Sequence, residues 1–230
     1  NLLAKPNKRS IHKIATPFTG GISIFIIFLI IIKTTNYDKN LEEIIVFSSI
    51  ILFFGLIDDF KEQTPGIKLL TLVIPIIFLV LKNNYIIDNL GNYEILDKIS
   101  LGRFGIIFTI FSILIYINSF NYIDGIDGLA ISQFIIFLLY YCFILSDEKI
   151  TIFFYLLMLP CLFFLIFNFT NIKYLKSFLG NGGSLMIGFI MSLFSIYICL
   201  RKNIHPSIII WPLSLPIYDF LSVNLYRLSK

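Results

Sequence analysis

Residues 104–146 read FGIIFTIFSILIYINSFNYIDGIDGLAISQFIIFLLYYCFILS, two long apolar runs separated by a short polar segment. The runs cover residues 104–120 and 129–146, close to the lower end of the roughly 17–25 residues that a membrane-spanning helix needs. Backbone groups find no water in hydrocarbon and must pair within the segment, which favours helices. The stretch therefore predicts two transmembrane helices joined by a connection that carries two aspartates.

The same alternation of apolar and polar segments extends over the whole chain. Of its 230 residues, 57% are hydrophobic and 14% are charged, whereas about a quarter of the residues of a soluble domain are charged. Eight apolar segments can be drawn, at residues 17–33, 41–57, 66–82, 104–120, 129–146, 150–168, 184–200 and 206–225. We expect an all-α fold, a polytopic integral membrane helical bundle of about eight transmembrane helices, as a single domain over residues 1–230. The polar start without methionine and the ending YRLSK are interpreted as truncation at both ends.

Composition also narrows the classes of partner. A net charge of +4 is too small to indicate nucleic acid binding, so no nucleic acid partner is expected. Cys142, Cys161 and Cys199 each lie singly inside an apolar run and are interpreted as small hydrophobic residues.

Alternation of eight helices divides the polar segments between two membrane faces. The first, called face A, receives residues 1–16, 58–65, 121–128, 169–183 and the C-terminal tail. The second, called face B, receives residues 34–40, 83–103, 147–149 and 201–205. With Lys68 at the start of the third apolar segment counted, face A carries ten of the eighteen Lys and Arg residues, and the positive-inside rule then favours the cytoplasm for it. The glycine-rich segment and the two segments that carry aspartate pairs also fall on face A.

Asp58 and Asp59 end the second apolar segment in GLIDDFKEQTPG. They either mark the end of a helix in water or carry chemistry. Adjacent carboxylates resist being ionised together unless a cation is near, so the pair suits Mg²⁺ capture or deprotonation of an acidic group. Lys61 is a candidate ion-pair partner for Asp58 or a contact for a phosphate.

Asn121, Asp124 and Asp127 follow one another at a spacing of three in NYIDGIDGLA. Residues three apart share one face of a helix, so the three side chains are predicted to form one helical stripe. Such oxygen-bearing groups suit a hard cation or hydrogen bonds to a ribose and base. The alternative is that Asp127 caps the following helix.

FLGNGGSLMIGF, residues 178–189, is interpreted as a glycine-rich turn that leads into a helix with Ser184 at its N-cap. Successive N–H groups at a helix start bind anions, and Gly182 and Gly183 are candidates for holding a diphosphate.

KPNKRSIHKIATPFTGG, residues 5–21, opens with five basic or potentially basic residues: Lys5, Lys8, Arg9, His12 and Lys13. The segment is either a basic patch at the membrane surface or a phosphate clamp that works with the other three segments.

These four segments, in this order and on one face, resemble the polyprenyl-phosphate N-acetylhexosamine-1-phosphate transferase family. PIYDFLSVNLYRL, residues 216–228, resembles the stretch after the last large motif of that family. The resemblance implies a multi-pass enzyme of the bacterial inner (cytoplasmic) membrane with its active site facing the cytoplasm. It also implies transfer of a sugar 1-phosphate from a UDP-N-acetylhexosamine to undecaprenyl phosphate with release of UMP, the first membrane step of surface polysaccharide, lipopolysaccharide O-antigen or cell-wall glycan synthesis.

The resemblance further implies Mg²⁺ as cofactor, with Mn²⁺ as a substitute, contacts with membrane lipid, and room for a homodimer. By the same resemblance, Asp58 and Asp59 are the catalytic pair. Substrate binding is assigned by resemblance to seven residues: His12, Lys13, Asn121, Asp124, Asp127, Gly182 and Gly183. Metal binding is assigned to Asn121, Asp127 and Asn181.

Two positions depart from the family pattern. Asn181 stands where the family usually has an aspartate that binds the metal, and Ala4 stands where an aspartate commonly precedes Lys-Pro. A catalytically impaired relative that binds lipid phosphate or UDP-sugar therefore stays open as an alternative. A membrane transporter is a further alternative, although transporters usually place ionisable residues inside their helices, and here nearly all charges lie at helix ends.

Overall fold

Helices account for all eight predicted apolar segments. The computed structural model describes residues 3–4, 16–35, 37–94, 97–170, 172 and 175–229. Within those ranges, six helical segments are long and apolar enough to cross a membrane, and two shorter apolar helices, Gly20–Thr35 and Leu129–Ile144, accompany them. The predicted class, an all-α polytopic membrane bundle, is confirmed.

The helices follow one another in chain order with short connections. The first six are α1 (Gly20–Thr35), α2 (Lys39–Phe60), α3 (Pro65–Asn83), α4 (Gly105–Ile123), α5 (Leu129–Ile144) and α6 (Glu148–Phe169). The last three are α7 (Gly180–Arg201), α8 (Pro206–Ile210) and α9 (Ser214–Leu228). Single 3₁₀ turns at Gly102–Phe104 and Trp211–Leu213 precede α4 and α9.

Two small antiparallel strand pairs complete the described part. Strand β1 (Leu3–Ala4) pairs with β2 (Thr16–Pro17), and β3 (Asn89–Tyr93) pairs with β4 (Asp97–Ser100). The β3–β4 hairpin lies within residues 83–103, a polar segment that the sequence assigned to face B without predicting strands. It packs on His205: the Tyr93 ring meets the imidazole edge-on at 5.2 Å, and a Cβ on Gly91 would lie 2.3 Å from the imidazole Nε2. The hairpin is therefore stabilised by its contact with His205, a residue far away in the sequence, and its own residues show no local strand pattern.

Helix α7 is the central helix of the bundle. All its residues from Gly182 to Ile198 are buried, and α1, α2, α4 and α5 pack around it. A helix that is apolar on every side is expected in a core, and the GNGGSLMIGF sequence at the start of α7 adds small residues that admit close neighbours.

The start of α7 touches α2 and α1 backbone to backbone. A Cβ built on Gly55 of α2 would lie 2.4 Å from the Cα of Gly182, and one built on Gly21 of α1 would lie 2.4 Å from the Cα of Gly183. Small residues allow such close approach between membrane helices, whose association depends on van der Waals packing. The glycines that the sequence assigned to phosphate binding therefore form the helix-packing interface.

The last predicted transmembrane segment is broken rather than continuous. Residues 206–228 form α8, a 3₁₀ turn and α9, and Pro212 lies at the break. Proline cannot donate a backbone hydrogen bond. Buried Gln133 of α5 donates from its Nε2 to the Pro212 carbonyl oxygen at 2.7 Å, which pairs that carbonyl at the break.

We expect Gly55→Ala to destabilise the bundle by about 1–3 kcal/mol, the usual cost of overpacking, because the new methyl group would meet the Gly182 backbone. Gly66→Ala is the matched control, since a Cβ at Gly66 in the first turn of α3 meets nothing within 4 Å. Thermal unfolding in detergent measures both variants. Equal melting temperatures for the two would contradict the close-packing interpretation.

Candidate active site

Asp58, in the last turn of α2, joins three helical elements. It is buried, with 8% of its surface exposed. Its Oδ1 accepts from the backbone N–H of Gln63 at 3.0 Å, and its Oδ2 accepts from Lys68 Nζ at 2.9 Å and from Asn181 Nδ2 at 3.1 Å. Because Lys68 belongs to α3 and Asn181 to α7, one carboxylate holds the ends of α2, α3 and α7 together.

Of the two alternatives for Lys61, the ion pair with Asp58 is wrong, because Lys68 is the partner of Asp58, and a contact with a phosphate stays a prediction. Lys61 lies directly after the end of α2 and is exposed. Its side chain forms no ion pair with any described residue. The chain then turns back, so that Lys68 in the first two turns of α3 reaches Asp58 from ten residues away.

Asp59 caps the start of α7 from a different helix. Its Oδ1 accepts from the backbone N–H of Asn181 at 3.0 Å, and its Oδ2 accepts from the N–H of Gly182 at 3.1 Å. The first N–H groups of a helix have no partner within the helix and attract anions. The anion at this helix start is therefore a carboxylate of the chain itself.

The predicted N-cap at Ser184 is wrong, because α7 begins four residues earlier at Gly180. Gly180 has φ +79° and its Cβ would lie 3.0 Å from Asp59 Oδ2, so a side chain there would be both strained and crowded. Ser184 lies inside the helix, where its Oγ donates to the Gly180 carbonyl oxygen at 3.1 Å. The glycine-rich stretch is thus the first turn of α7 and not a loop before it.

Asn121, in the last turn of α4, reaches the same place from the other side of α7. Its Nδ2 donates to Asn181 Oδ1 at 3.1 Å and to Ser184 Oγ at 2.7 Å. The structure therefore brings together four residues that the sequence singled out on three separate segments: Asp58, Asp59, Asn121 and Asn181.

The predicted helical stripe of Asn121, Asp124 and Asp127 ends early, because α4 stops at Ile123 and Asp124 occupies its C-cap. Asp127 lies in the following turn, is exposed, and forms an ion pair with Lys176. It does not cap α5: the N-cap position is Gly128, with φ +75° and no side-chain cap.

Asn168, at the end of α6, holds that turn in place. Its Oδ1 accepts from the backbone N–H of Gly128, and its Nδ2 donates to the Ser177 carbonyl oxygen at 2.9 Å. One buried amide therefore links the DGIDG turn to the segment that leads into α7.

Asp124 is the acidic side chain of the site that lacks a hydrogen-bond partner among the described residues. It is half-buried. Burial raises its pKa well above the usual value for aspartate, and the negative charges of Asp59 and Asp127 raise it further. Because the charges of Asp59 and Asp127 disfavour ionisation of Asp124, a cation would be attracted to this region.

The donor set fits Mg²⁺ chemistry in a limited sense. No group of three or more His, Cys, Asp or Glu side chains in the described ranges is arranged to hold a metal ion. Mg²⁺ is, however, usually bound through one or two carboxylates together with waters and substrate phosphates. Asp124, with Asp59 and Asp127 near it, satisfies that smaller requirement, and Mg²⁺ or Mn²⁺ binding stays a prediction.

The candidate phosphate clamp is beyond the structural description. His12 and Lys13 lie outside the described residues, as do Lys5, Lys8 and Arg9. The chain that follows them is anchored beside the site, because the N–H of Phe178 donates to the Pro17 carbonyl oxygen at 2.8 Å and the N–H of Gly20 donates to the Phe178 carbonyl oxygen at 3.0 Å.

Lys68, Asn168 and Lys176 were not identified from sequence as site residues. The short connection between α2 and α3 was a usable signal for Lys68, since a basic residue early in α3 can reach back to the end of α2. Asn168 and Lys176 gave no comparable signal, because their partners in the DGIDG turn are 40 and 49 residues away.

The fold and the site define a polytopic helical membrane protein with a polar, partly acidic site built where the ends of α2 and α4 meet the start of α7. Residues 42–199 match the profile of glycosyl transferase family 4, and the chain belongs to this family. The resemblance drawn from the four motifs is confirmed.

Curated relatives support the same placement. The chain is 26% identical over 243 residues to undecaprenyl-phosphate alpha-N-acetylglucosaminyl 1-phosphate transferase of Yersinia pestis, covering 100% of this chain and 65% of the relative. It is 27% identical over 241 residues to the protein of that name from Escherichia coli O157:H7, covering 100% of this chain and 64% of the relative. A probable undecaprenyl-phosphate N-acetylglucosaminyl 1-phosphate transferase of Bacillus subtilis is 27% identical over 223 residues, covering 94% of this chain and 61% of the relative. The chain thus spans somewhat less than two thirds of the length of these relatives.

We expect Lys68→Met to destabilise the protein by about 1–3 kcal/mol, less than for a fully buried pair because Lys68 is partly exposed. The variant leaves the buried Asp58 carboxylate without the cation that contacts it. Lys61→Met removes an exposed lysine from the neighbouring turn and should change the unfolding free energy by less than about 0.5 kcal/mol. Chemical or thermal unfolding in detergent compares them, and equal effects would contradict the assigned ion pair.

Asp124→Asn should stabilise the metal-free protein at neutral pH. Because the pKa of Asp124 is raised on folding, the folded state binds its proton more tightly than the unfolded chain does. The stability from this group is complete below the unfolded pKa, and it is lost as the pH rises through the raised folded pKa. Melting temperatures measured with EDTA between about pH 4 and about pH 8 should diverge in favour of the variant as the pH rises.

The control for this titration is Asp97→Asn, which changes an exposed aspartate of the β3–β4 hairpin. Asp97 has φ +52°, a conformation that asparagine also accepts. If the melting temperatures of the parent and of Asp124→Asn changed with pH in parallel, the pKa of Asp124 would not be raised on folding.

Proposed function

We propose that this chain transfers a sugar 1-phosphate of the N-acetylhexosamine type from a UDP-sugar to undecaprenyl phosphate and releases UMP. The observation that carries the proposal is the convergence of Asp58, Asp59, Asn121 and Asn181 where the ends of α2 and α4 meet the start of α7, with Asp124 at the C-cap of α4. The names of the relatives supply the lipid acceptor and N-acetylglucosamine as the first sugar to test.

The reaction is a phosphoryl transfer. An oxygen of the acceptor phosphate forms a bond to the phosphorus that carries the sugar. The bond between that phosphorus and the oxygen bridging to the nucleotide breaks, and its electron pair leaves with UMP. Such reactions depend mainly on positioning and on stabilising charge, which is the kind of contribution that fixed polar groups at helix ends can make.

The two adjacent aspartates have different capacities for this chemistry. Asp58 Oδ2 already accepts two hydrogen bonds, from Lys68 and Asn181, whereas each oxygen of Asp59 accepts one. A carboxylate oxygen offers about two acceptor positions, so each oxygen of Asp59 keeps one position that no described residue fills. We therefore assign Asp59 to contact with the reacting groups and Asp58 to holding Lys68.

Lys68 lies beside a route for a lipid substrate. A cavity of about 130 Å³ between α2 and α3 is lined by apolar side chains, among them Phe54, Ile67 and Leu72, and by the Asp58–Lys68 pair. An apolar groove next to a cation at a helix end suits the junction between a polyprenyl chain and its phosphate.

Bound Mg²⁺ would neutralise developing charge on the phosphoryl groups, and Asp124 with Asp59 and Asp127 would hold it. Lys176 lies against Asp127 in this structure and would have to release it or share it with the cation. The basic segment with His12 and Lys13 is proposed to face the donor diphosphate, and face A is proposed to lie in the cytoplasm.

The test is to supply the full-length protein, in detergent and lipid, with undecaprenyl phosphate, Mg²⁺ and UDP-N-acetylglucosamine, and to measure UMP. Asp59→Asn should lower the turnover number at least about 100-fold, as expected when a charge-stabilising group is lost. Asp97→Asn makes the same chemical change on face B and should keep the turnover number within about twofold. Full activity of Asp59→Asn would defeat the site assignment.

A binding protein without turnover is the second candidate, favoured by the neutral side chain at Asn181. Calorimetry that detects UDP-sugar binding while no UMP forms with any common UDP-N-acetylhexosamine would identify it. UMP release dependent on undecaprenyl phosphate would exclude it.

A further inference from the structure

We propose that Asn181 is a positioning residue whose neutral amide connects Asp58 of α2 to Asn121 of α4, and that it is not a ligand of the metal. The proposal rests on the proposed function for its kinetic consequence only. Its structural part concerns hydrogen bonds that need neither metal nor substrate.

Asn181 forms hydrogen bonds with Asp58, Asp59 and Asn121, the three residues that meet it at the start of α7. Its Nδ2 donates to Asp58 Oδ2 at 3.1 Å, its Oδ1 accepts from Asn121 Nδ2 at 3.1 Å, and its backbone N–H donates to Asp59 Oδ1 at 3.0 Å. The side chain therefore spans the space between α2 and α4, while its main chain starts α7.

The chemistry of the partners sets the orientation of this amide. An ionised carboxylate only accepts hydrogen bonds, so the NH₂ group of Asn181 must face Asp58. The oxygen of Asn181 then faces the NH₂ group of Asn121. Asn121 also donates to Ser184 Oγ at 2.7 Å. This second bond keeps the NH₂ group of Asn121 on the side that faces Asn181 Oδ1, so that Asn181 Oδ1 can accept from it.

This orientation disfavours metal binding at position 181. A cation next to Asn181 Oδ1 would approach the positive end of the Asn121 N–H dipole. Rotating the amide to free its oxygen would turn that oxygen toward the Asp58 carboxylate and remove the donated hydrogen bond. Asp124, which has no hydrogen-bond partner among the described residues, carries no such cost.

The same contacts explain why an amide suits this position better than a carboxylate. Aspartate at 181 could not donate to Asp58 and would place a second negative charge against its Oδ2. Among the described residues, Lys68 is the cation that contacts Asp58, and it would then face two carboxylates. Like charges in contact disfavour the ionised state of both, so we expect Asn181→Asp to loosen the junction of α2, α4 and α7.

The structural part is tested by a reciprocal exchange, with melting temperatures recorded in detergent and EDTA. Asn181→Asp should lower the melting temperature by about 3–6 °C. Adding Asp58→Asn to that variant restores an amide facing a carboxylate, with donor and acceptor reversed, and should recover at least half of the loss. The matched control is Asn224→Asp, which introduces the same charge into α9, where the Asn224 side chain donates to the Phe220 carbonyl oxygen of its own helix and to no other described residue.

The exchange has clear outcomes. Recovery in the double variant, with little change in the control, supports the connection between positions 58 and 181. An unchanged melting temperature for Asn181→Asp, or a double variant as unstable as the sum of its two single changes, overturns it. Melting temperatures can be measured whether or not the protein releases UMP. Failure of the proposed function would therefore leave this test unaffected.

The functional part separates positioning from ligation. In Mn²⁺ titrations followed by electron paramagnetic resonance, Asp124→Asn should weaken binding at least about tenfold, the loss expected when a metal site is disturbed. Asn181→Ala should leave the affinity for Mn²⁺ nearly unchanged. In the UMP assay, Asn181→Ala should lower kcat about 10–100-fold, the effect of misplaced reacting groups, with KM for the UDP-sugar nearly unchanged. Loss of Mn²⁺ affinity in Asn181→Ala equal to that in Asp124→Asn would identify Asn181 as a ligand and refute the proposal.

Discussion

The carboxylate of Asp59 on the first N–H groups of α7 is the interaction on which the site depends. The start of a helix leaves backbone donors without partners, and near a membrane core an unpaired donor is costly. Asp59 supplies the acceptors to Asn181 and Gly182 from α2. Because α7 is also the most enclosed helix of the bundle, its capping links the polar site directly to the apolar core.

That interaction requires the helices to lie unusually close together. Gly55 against Gly182 and Gly21 against Gly183 bring the backbones of α2 and α1 onto α7, and this approach places the end of α2 at the start of α7. The packing of the core and the geometry of the site are therefore set by the same contact. Asn121 and Ser184 add a hydrogen bond between α4 and α7 at the same level.

The aspartates of the site differ in how many hydrogen-bond and ion-pair partners they have, and this difference indicates which of them can bind a cation. Asp58 is paired with Lys68 and Asp59 with a helix start. Asp124 has no hydrogen-bond partner among the described residues, and its pKa is raised by burial and by neighbouring charges. A site with one uncompensated acidic region beside fixed donors is suited to a cation and to phosphate groups together. Membership of glycosyl transferase family 4 accords with that chemistry.

The sequence by itself determined the helical membrane bundle and the two faces, because segment length, hydrophobicity and alternation are local properties. It also identified Asp58, Asp59, Asn121 and Asn181, whose meeting follows from their common face. Tertiary structure decided the choice of Lys68 over Lys61, the capping of α7 by Asp59 in place of Ser184, and the pairing of Asp127 with Lys176. It also decided the hairpin against His205. Each of these depends on how close two distant segments come, and that distance is set by helix packing, which local sequence patterns do not contain.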